Sequence, residues 1–317
     1  MRTQLKLASL AILALSLGGG RSAEGADWRV FAEPFISSAH AQDIDWQKVD
    51  DTLGRKAAVA VDVHRYGFPR GDLSVTLDGV AIKPALALGG WVAFKPAHGG
   101  AMIMGDLVLL ESEINPVMMK MIANGIEITA VHNHLLGANP ETFYMHIAAH
   151  GDPVKLATAL REALAESKTP LTVAASTAPP PAVDLDTAQL DQIIGVKGQA
   201  SGGVYQFGVP RRDPITENGM AMTPVGPLGG ATGIGFQPTG PGKAAITGDF
   251  VMTADEVNPV IAALRAGGIE VTALHSHMLD EQPRLFFMHF WANDDAIKLA
   301  KGLRAGLDKM ANVKSSL

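Results

Sequence analysis

The stretch GIEITAVHNH at residues 125–134 recurs as GIEVTALHSH at residues 268–277. The match extends without a gap from residues 105–157 onto residues 248–300, an offset of 143, and 25 of the 53 paired positions are identical. Identity at this level over so long a segment indicates a duplicated unit. With small shifts the match continues upstream, so we predict one repeat at residues 53–166 and a second at residues 192–313.

Each repeat carries the same order of structural signals. Short β-rich segments come first, followed by a helix that Asn115 and Pro116 are expected to start and Gly125 to stop. Two strands joined by a turn at residues 137–140 come next, and Asp152 then caps a second helix. The predicted elements are a helix at 117–124, strands at 126–135 and 142–149, and a helix at 153–166. The pattern predicts an α+β fold, two homologous repeats that each contain a mostly antiparallel sheet with a β-α-β-β-α core.

The segments before and between the two repeats have compositions of their own. Residues 1–41 resemble a signal peptide, with basic Arg2 and Lys6, an apolar run at 7–17 and a small-x-small site before Gln42. We therefore expect a periplasmic or secreted bacterial protein without a membrane span in the mature chain. Residues 167–191 are rich in Pro and Ala, which is the composition of a linker.

Composition excludes several classes of site and partner. The chain of 317 residues has no cysteine, so it has neither disulfides nor thiolate ligands. Its net charge of −6 gives no attraction to the phosphates of a nucleic acid. A metal ion would have to be held by histidine, carboxylate, amide or thioether groups.

The repeated histidines are the strongest functional signal. His132 and His134 are two residues apart on a predicted strand and so point to one face, and His146 on the next strand adds a third imidazole. If the hairpin closes symmetrically around Pro140, residues 134 and 146 are cross-strand neighbours. The second repeat has the same spacing at His275, His277 and His289. We predict one three-histidine site for a divalent transition metal in each repeat, with zinc as the first choice and copper, nickel or iron as alternatives.

Three carboxylates are candidate catalytic groups near these sites. Glu113 and Glu256 precede the predicted helices at matching positions, and Glu281 follows His277 by four residues. Each could act as a general base or orient a ligand, although a carboxylate at a helix start also has a purely electrostatic role.

Two further pairs of matched residues have simpler interpretations. Arg70 and Arg211 suit an anionic ligand or a surface salt bridge, and Asp106 and Asp249 are expected in turns.

The repeated block resembles a bacterial family of unknown function, DUF1259, also called the LppY/LpqO family after mycobacterial lipoproteins. The resemblance rests on Glu-(Ile/Val)-Asn-Pro-Val, the double His-x-His and the Phe-(Tyr/Phe)-Met-His segments, and it covers nearly all of the mature chain. It implies no established activity or substrate. Because this chain has no cysteine, the lipid anchor of the lipoprotein members does not carry over.

Three functions fit these observations. The first is an exported, duplicated metal-binding protein. The second is a metal-dependent hydrolase of a cell-envelope or small polar substrate, in which the ion polarises the substrate or activates water. The third is a structural or partner-binding module in which the histidines are buried hydrogen-bonding groups without a metal.

Overall fold

The computed structural model describes residues 44–172 and 181–312. The predicted signal peptide and part of the predicted linker lie outside these ranges. In the described part of the chain, no helix is both long enough and apolar enough to cross a membrane.

The two repeats have the same plan of strands and helices. The elements of the first are α1 (Trp46–Leu53), β1 (Ala58–Ala60), β2 (Val63–Pro69), β3 (Thr76–Leu77), β4 (Val80–Ala81), α2 (Pro84–Ala87), β5 (Gly89–Ala97), β6 (Gly100–Leu109), α3 (Glu111–Ala123), β7 (Glu127–Asn133), β8 (Phe143–Gly151) and α4 (Pro153–Leu164). Those of the second are α5 (Thr187–Ile194), β9 (Gln199–Ser201), β10 (Val204–Pro210), β11 (Thr216–Glu217), β12 (Met220–Ala221), β13 (Ala231–Gly240), β14 (Lys243–Met252), α6 (Ala254–Ala266), β15 (Glu270–His275), β16 (Glu281–Gln282), β17 (Phe286–Asp295) and α7 (Ala296–Leu307).

Each repeat is built on a six-stranded antiparallel sheet. The strand order is β1-β2-β5-β6-β8-β7 in the first repeat and β9-β10-β13-β14-β17-β15 in the second. The C-terminal half of each repeat has the predicted order β-α-β-β-α, which agrees with the α+β class. These elements are β6-α3-β7-β8-α4 in the first repeat and β14-α6-β15-β17-α7 in the second, where the short β16 is an addition.

Both faces of each sheet are buried, against different partners. On β5, Val92 and Phe94 pack with the helices of their own repeat, whereas Ala93 between them packs with residues of the second repeat such as Ile215 and Phe287. Because side chains alternate along a strand, one face is covered by helices and the other by the opposite repeat. The histidines lie on this second face, between the repeats.

The helix α3 starts earlier than the sequence pattern predicts. It begins at Glu111 rather than after Asn115, and Pro116 lies inside it. The cause is Glu113, whose carboxylate accepts a hydrogen bond of 2.9 Å from the backbone N–H of Leu110 and so closes the first turn. Because Pro116 has no backbone N–H, the helix lacks one hydrogen bond at this position.

A β-bulge decides which way the histidines point. In the ladder between β7 and β8, Ile128 pairs with Ile147 but Ala130 pairs with His146, so Thr129 is an extra residue. Before the bulge, Ile128 packs on the helix side, and after it His132 faces the other repeat. The second repeat has the same irregularity between Val271 and Ala273. An inserted residue reverses the side-chain alternation, and bulges of this kind commonly re-aim a side chain at a site.

The predicted hairpin register is wrong. His146 lies opposite Ala130 rather than opposite residue 134, and His132 lies opposite Tyr144. The chain between the strands does not close tightly because Asn139 exchanges two backbone hydrogen bonds of 2.9 Å with Thr76. His132 and His146 are nonetheless diagonal neighbours on one face.

Candidate functional site

All six repeated histidines meet in one cluster between the two sheets. His132 and His275 stack with ring centroids 3.5 Å apart, which places one histidine from each repeat in direct contact. Two other pairs across the repeats stack as closely, His134 with His289 at 3.5 Å and His146 with His277 at 3.6 Å. The expectation of one separate site per repeat is therefore corrected. We call the six residues the histidine cluster.

Aromatic rings cover the two ends of the histidine cluster. Tyr144 stacks on His134 at a centroid distance of 3.3 Å, and Phe287, at the matching position of the second repeat, stacks on His277 at 3.6 Å. Tyr144 is fixed in turn by a hydrogen bond of 2.7 Å from its hydroxyl to the Ala87 carbonyl. These rings hold the imidazoles in place by stacking on them.

Two threonines tie the histidine segments of the repeats together. The Thr129 hydroxyl donates a hydrogen bond of 2.6 Å to the His277 carbonyl, and the Thr272 hydroxyl donates one of 2.6 Å to the His134 carbonyl. Both threonines are the extra residues of the β-bulges. Their identity at matching positions of the two repeats was visible in the sequence, but a contact across the repeats was not.

The imidazoles offer free nitrogen atoms. In the described residues, the Nε2 atom of every member of the histidine cluster is buried without a hydrogen-bond partner, and His132 Nδ1 is unpartnered as well. His289 shows which tautomer this implies, because its Nδ1 lies 2.9 Å from the Gly248 carbonyl, an acceptor, and so carries the proton. The remaining Nε2 lone pair of His289 is available to a metal ion.

Two overlapping sets of four imidazoles have the spacing of a metal site. One set is His132, His134, His146 and His277, and the other is His132, His134, His275 and His289. Within each set the ligand atoms lie within 4.8 Å of one another. Two ligands of a tetrahedral zinc ion are about 3.4 Å apart, given a Zn–N bond of about 2.1 Å. The most widely spaced nitrogens must therefore move together by about 1.4 Å when an ion binds.

Burial keeps the imidazoles neutral. Desolvation lowers the pKa of His132 to about 3, helped by the neighbouring His275, and lowers that of His275 to about 4. The pKa values of His134 and His146 fall well below the ordinary range, from burial first and from the other histidines second. Neutral imidazole is the form that binds a metal ion, so the electrostatics of the cluster suit coordination.

Two buried aspartates adjoin the histidine cluster. Asp106 pairs with His146 across β6 and β8, with its Oδ1 atom 3.9 Å from the Nε2 atom of that ring, and Asp249 pairs with His289. Burial, with a smaller contribution from Asp249, raises the pKa of Asp106 to about 8, and burial raises that of Asp249 to about 7. They lie inside strands rather than in the turns expected from Gly-Asp, because the strands β6 and β14 run past them.

A cavity opens at one end of the histidine cluster. It has a volume of 290 Å³, and its lining includes His134, His289, Asp106, Asp249 and Arg65. Burial lowers the pKa of the Arg65 guanidinium to about 10, which leaves it charged at neutral pH. No signal in the sequence marked Arg65, because it has no counterpart of its own type in the second repeat.

The predicted carboxylates Glu113 and Glu256 have other partners. Arg70 donates hydrogen bonds of 2.7 Å and 3.2 Å to the two oxygens of Glu113, and Arg211 donates bonds of 2.5 Å and 3.3 Å to those of Glu256. Against the effect of burial, these bonds and those from backbone N–H groups lower the pKa of Glu113. The expected surface salt bridges are thus buried ion pairs that hold the helix starts.

Glu281 is also held away from the imidazole sets. It is fully buried, accepts a hydrogen bond of 2.9 Å from the backbone N–H of Leu285, and forms an ion pair of 3.2 Å with Arg284. It lies opposite Glu217 in the pairing of β11 with β16, and burial together with Glu281 raises the pKa of Glu217 to about 7. In the described residues, none of the three glutamates belongs to either set of four imidazoles.

Comparison with solved structures gives only weak likenesses. A trimeric bacterial microcompartment shell protein, PduB, matches at 15% identity with a TM-score of 0.21, over 83% of this chain and 97% of that one. EtuB from Clostridium kluyveri matches at 9% identity with a TM-score of 0.18, over 80% and 89% of the two chains. No curated protein matches the chain.

A family model matches both repeats. It describes a domain of unknown function, DUF1259, and it matches residues 47–166 and 188–309. The two segments include every member of the histidine cluster and both buried aspartates. On this match the chain belongs to the DUF1259 family, which it represents with two copies of the domain.

Proposed function

We propose that this protein binds a divalent transition metal through the histidine cluster, and that the two repeats share a single centre. The observation that carries the proposal is the set of six buried Nε2 atoms without a hydrogen-bond partner. Leaving one buried polar atom unpaired costs about 1–3 kcal/mol, so six cost about 6–18 kcal/mol. That cost is as large as the whole stability of an ordinary domain, about 5–15 kcal/mol. A four-coordinate metal ion would remove most of it by binding four of these nitrogens at once.

The donor set favours some metals over others. Neutral imidazoles suit zinc, copper, nickel and iron, whereas calcium and magnesium prefer oxygen ligands. Zinc is the first choice because four imidazoles can surround it without a demand on geometry from its d electrons. A bound ion of this kind supplies Lewis acidity and lowers the pKa of coordinated water.

Metal analysis tests the proposal directly. Protein purified without a tag or chelator is compared by inductively coupled plasma mass spectrometry with the His132→Ala/His275→Ala variant, which removes the stacked pair at the middle of the cluster. The matched control is His64→Ala/His150→Ala, because His64 stacks on Trp46 and His150 is exposed. We expect about one or two equivalents of metal in the wild type and the control, and a loss in the variant. Metal-free wild-type protein that also fails to bind added zinc, copper, nickel or iron would overturn the proposal.

A metal-dependent hydrolase is a second function that one observation favours. The cavity of 290 Å³ gives a small substrate access to His134 and His289. Asp106 lies 3.9 Å from His146, and a bound divalent cation would favour its ionised form, which can accept a proton from water beside the centre. In this alternative Glu113, Glu256 and Glu281 support the fold around the site. Hydrolysis of phosphate or acyl esters that requires the metal and is lost in Asp106→Asn would support it.

We also propose that the protein is exported. The basic residues, apolar run and small-x-small site at residues 1–41 support this. Intact-mass measurement of protein from the periplasm or medium is expected to give a chain that begins at Gln42. A cytoplasmic chain that retains residue 1 would contradict export without affecting the metal proposal.

A further inference from the structure

We propose that the cavity beside the histidine cluster binds a small molecule through an anionic group, a carboxylate or a phosphate, held between Arg65 and the metal centre. This inference rests on the proposed metal-binding function. It names the chemical class of the ligand and the side from which the ligand reaches the metal centre. We call this cavity the open cavity, and its lining includes Arg65, Asp106, His134, Thr247, Asp249 and His289.

The two ends of the histidine cluster are equivalent in sequence but not in shape. His134 and His289 line the open cavity of 290 Å³, whereas their counterparts His277 and His146 line a space of only 20 Å³. The closed end is filled by side chains that include Met104 and Met278. At the open end, the second repeat has Thr247 at the position that corresponds to Met104 in the first repeat. A small residue has therefore left one end accessible, and a ligand can reach the cluster from that side.

Arg65 is positioned to face a ligand. Its guanidinium lies 3.8 Å above the Trp91 ring, and Nη1 donates a hydrogen bond of 2.7 Å to the Pro227 carbonyl. Asp106 and Asp249 act on it electrostatically, yet within residues 44–172 and 181–312 it forms no ion pair shorter than 4.0 Å with either. The guanidinium and the carboxylates thus face the same space across a gap. The counterpart of Arg65 in the second repeat is Gln206, so the positive charge is on one side only.

The charges around the open cavity select the sign of the ligand. Arg65 contributes +1, and Asp106 and Asp249 contribute at most −2 when both are ionised. Imidazole binds a metal ion in its neutral form, so the protein groups alone give the site a net charge of −1 or above. One divalent ion raises it to at least +1, and two raise it to at least +3. A metal-loaded site therefore attracts an anion, and the attraction is stronger beside these buried groups than between charges in bulk water.

The shape of the open cavity limits the size of the ligand. A volume of 290 Å³ lies just below the range for pockets that hold drug-sized ligands, about 300–1,000 Å³. A carboxylate or phosphate group can accept hydrogen bonds from a guanidinium with two parallel N–H groups. An anionic small molecule of this size can contact Arg65 at one end and the metal centre at the other.

Calorimetric titration of the full-length, zinc-loaded protein tests the inference. Inorganic phosphate and succinate are titrated separately, so that binding of a phosphate is distinguished from binding of a carboxylate. We expect saturable binding of at least one of them to the zinc-loaded protein and at least tenfold weaker binding to the metal-free protein.

Two variants locate the anion site. Arg65→Gln copies Gln206, and Thr247→Met copies the closed end, so each uses a residue that the other repeat already holds at that position. We expect both to bind the anion at least tenfold more weakly and to keep the wild-type zinc content. Arg265→Gln, on α6 and absent from the cavity lining, is the control and is expected to bind like the wild type.

The outcomes separate this inference from the proposed function. Zinc-loaded wild-type protein that binds neither anion overturns the inference and leaves the metal centre intact. Equal anion binding by the wild type and Arg65→Gln also overturns it. Failure of the wild type to bind zinc or another transition metal overturns the proposed function and the inference together.

Discussion

Replacing His132 with leucine should stabilise the metal-free protein. Both ring nitrogens of His132 are buried without partners among the described residues. Each unpaired buried polar atom costs about 1–3 kcal/mol, so removing two returns about 2–6 kcal/mol. Leucine is of similar volume but loses the stacking on His275, at a ring distance of 3.5 Å. We expect a net rise of about 1–3 kcal/mol in the free energy of unfolding.

The assay is urea denaturation of metal-free protein at about pH 8, where free histidine is neutral. The same measurement with zinc gives the second half of the prediction. Ligand at a thousand times its dissociation constant stabilises the wild type by about 4 kcal/mol, and His132→Leu should lose most of that gain. His150→Leu, at an exposed position outside the cluster, is the control and should change stability by less than about 0.5 kcal/mol.

One result would refute this reasoning. If metal-free His132→Leu is less stable than the wild type by about 1 kcal/mol or more, the imidazole makes a favourable contribution to the fold. The histidines would then be structural groups of a module without a metal, which is the third function considered from the sequence.

Three further predictions follow from buried groups. Arg70→Met leaves Glu113 as an unpaired buried carboxylate and should lower the free energy of unfolding by about 3–5 kcal/mol in urea; a loss below about 1 kcal/mol would contradict a tight buried pair. The metal-free protein should lose stability as the pH falls below 6.5, because His132 and His275 take up protons in the unfolded state but not in the folded state, where their pKa values are about 3 and 4. Together these two residues should lower the free energy of unfolding by about 2.7 kcal/mol per pH unit down to about pH 4. A free energy of unfolding that is flat between about pH 6.5 and 5 would disprove the lowered pKa values. Thr129→Val removes one hydrogen bond between the repeats and should cost about 0.5–1.5 kcal/mol, with an effect on the metal affinity that exposed Thr158→Val does not show.

The sequence was sufficient for the parts of the fold that depend on local signals. Asp152 was predicted to cap a helix, and it does so by accepting hydrogen bonds from the N–H groups of Val154 and Lys155. The order β-α-β-β-α followed from turn and cap residues, and the duplication followed from identity alone. The start of α3 was misplaced because Asn115-Pro116 resembles a cap, whereas the carboxylate of Glu113 satisfies the first turn.

The sequence by itself identified the six candidate histidines, because His132, His134 and His146 recur at identical spacing as His275, His277 and His289. Only the tertiary structure decided that they meet in one cluster. Both faces of each sheet are buried, so the apolar pattern does not tell which face meets the helices and which meets the other repeat.

The β-bulges at Thr129 and Thr272 then reverse the alternation that a regular strand would have, and no local pattern marks an inserted residue. The choice between the open and closed ends depends on Met104 and Thr247, which are distant in sequence from the histidines that they adjoin. Local sequence fixes the identity and spacing of the histidines within a repeat, whereas the packing of one repeat on the other fixes which imidazoles lie together.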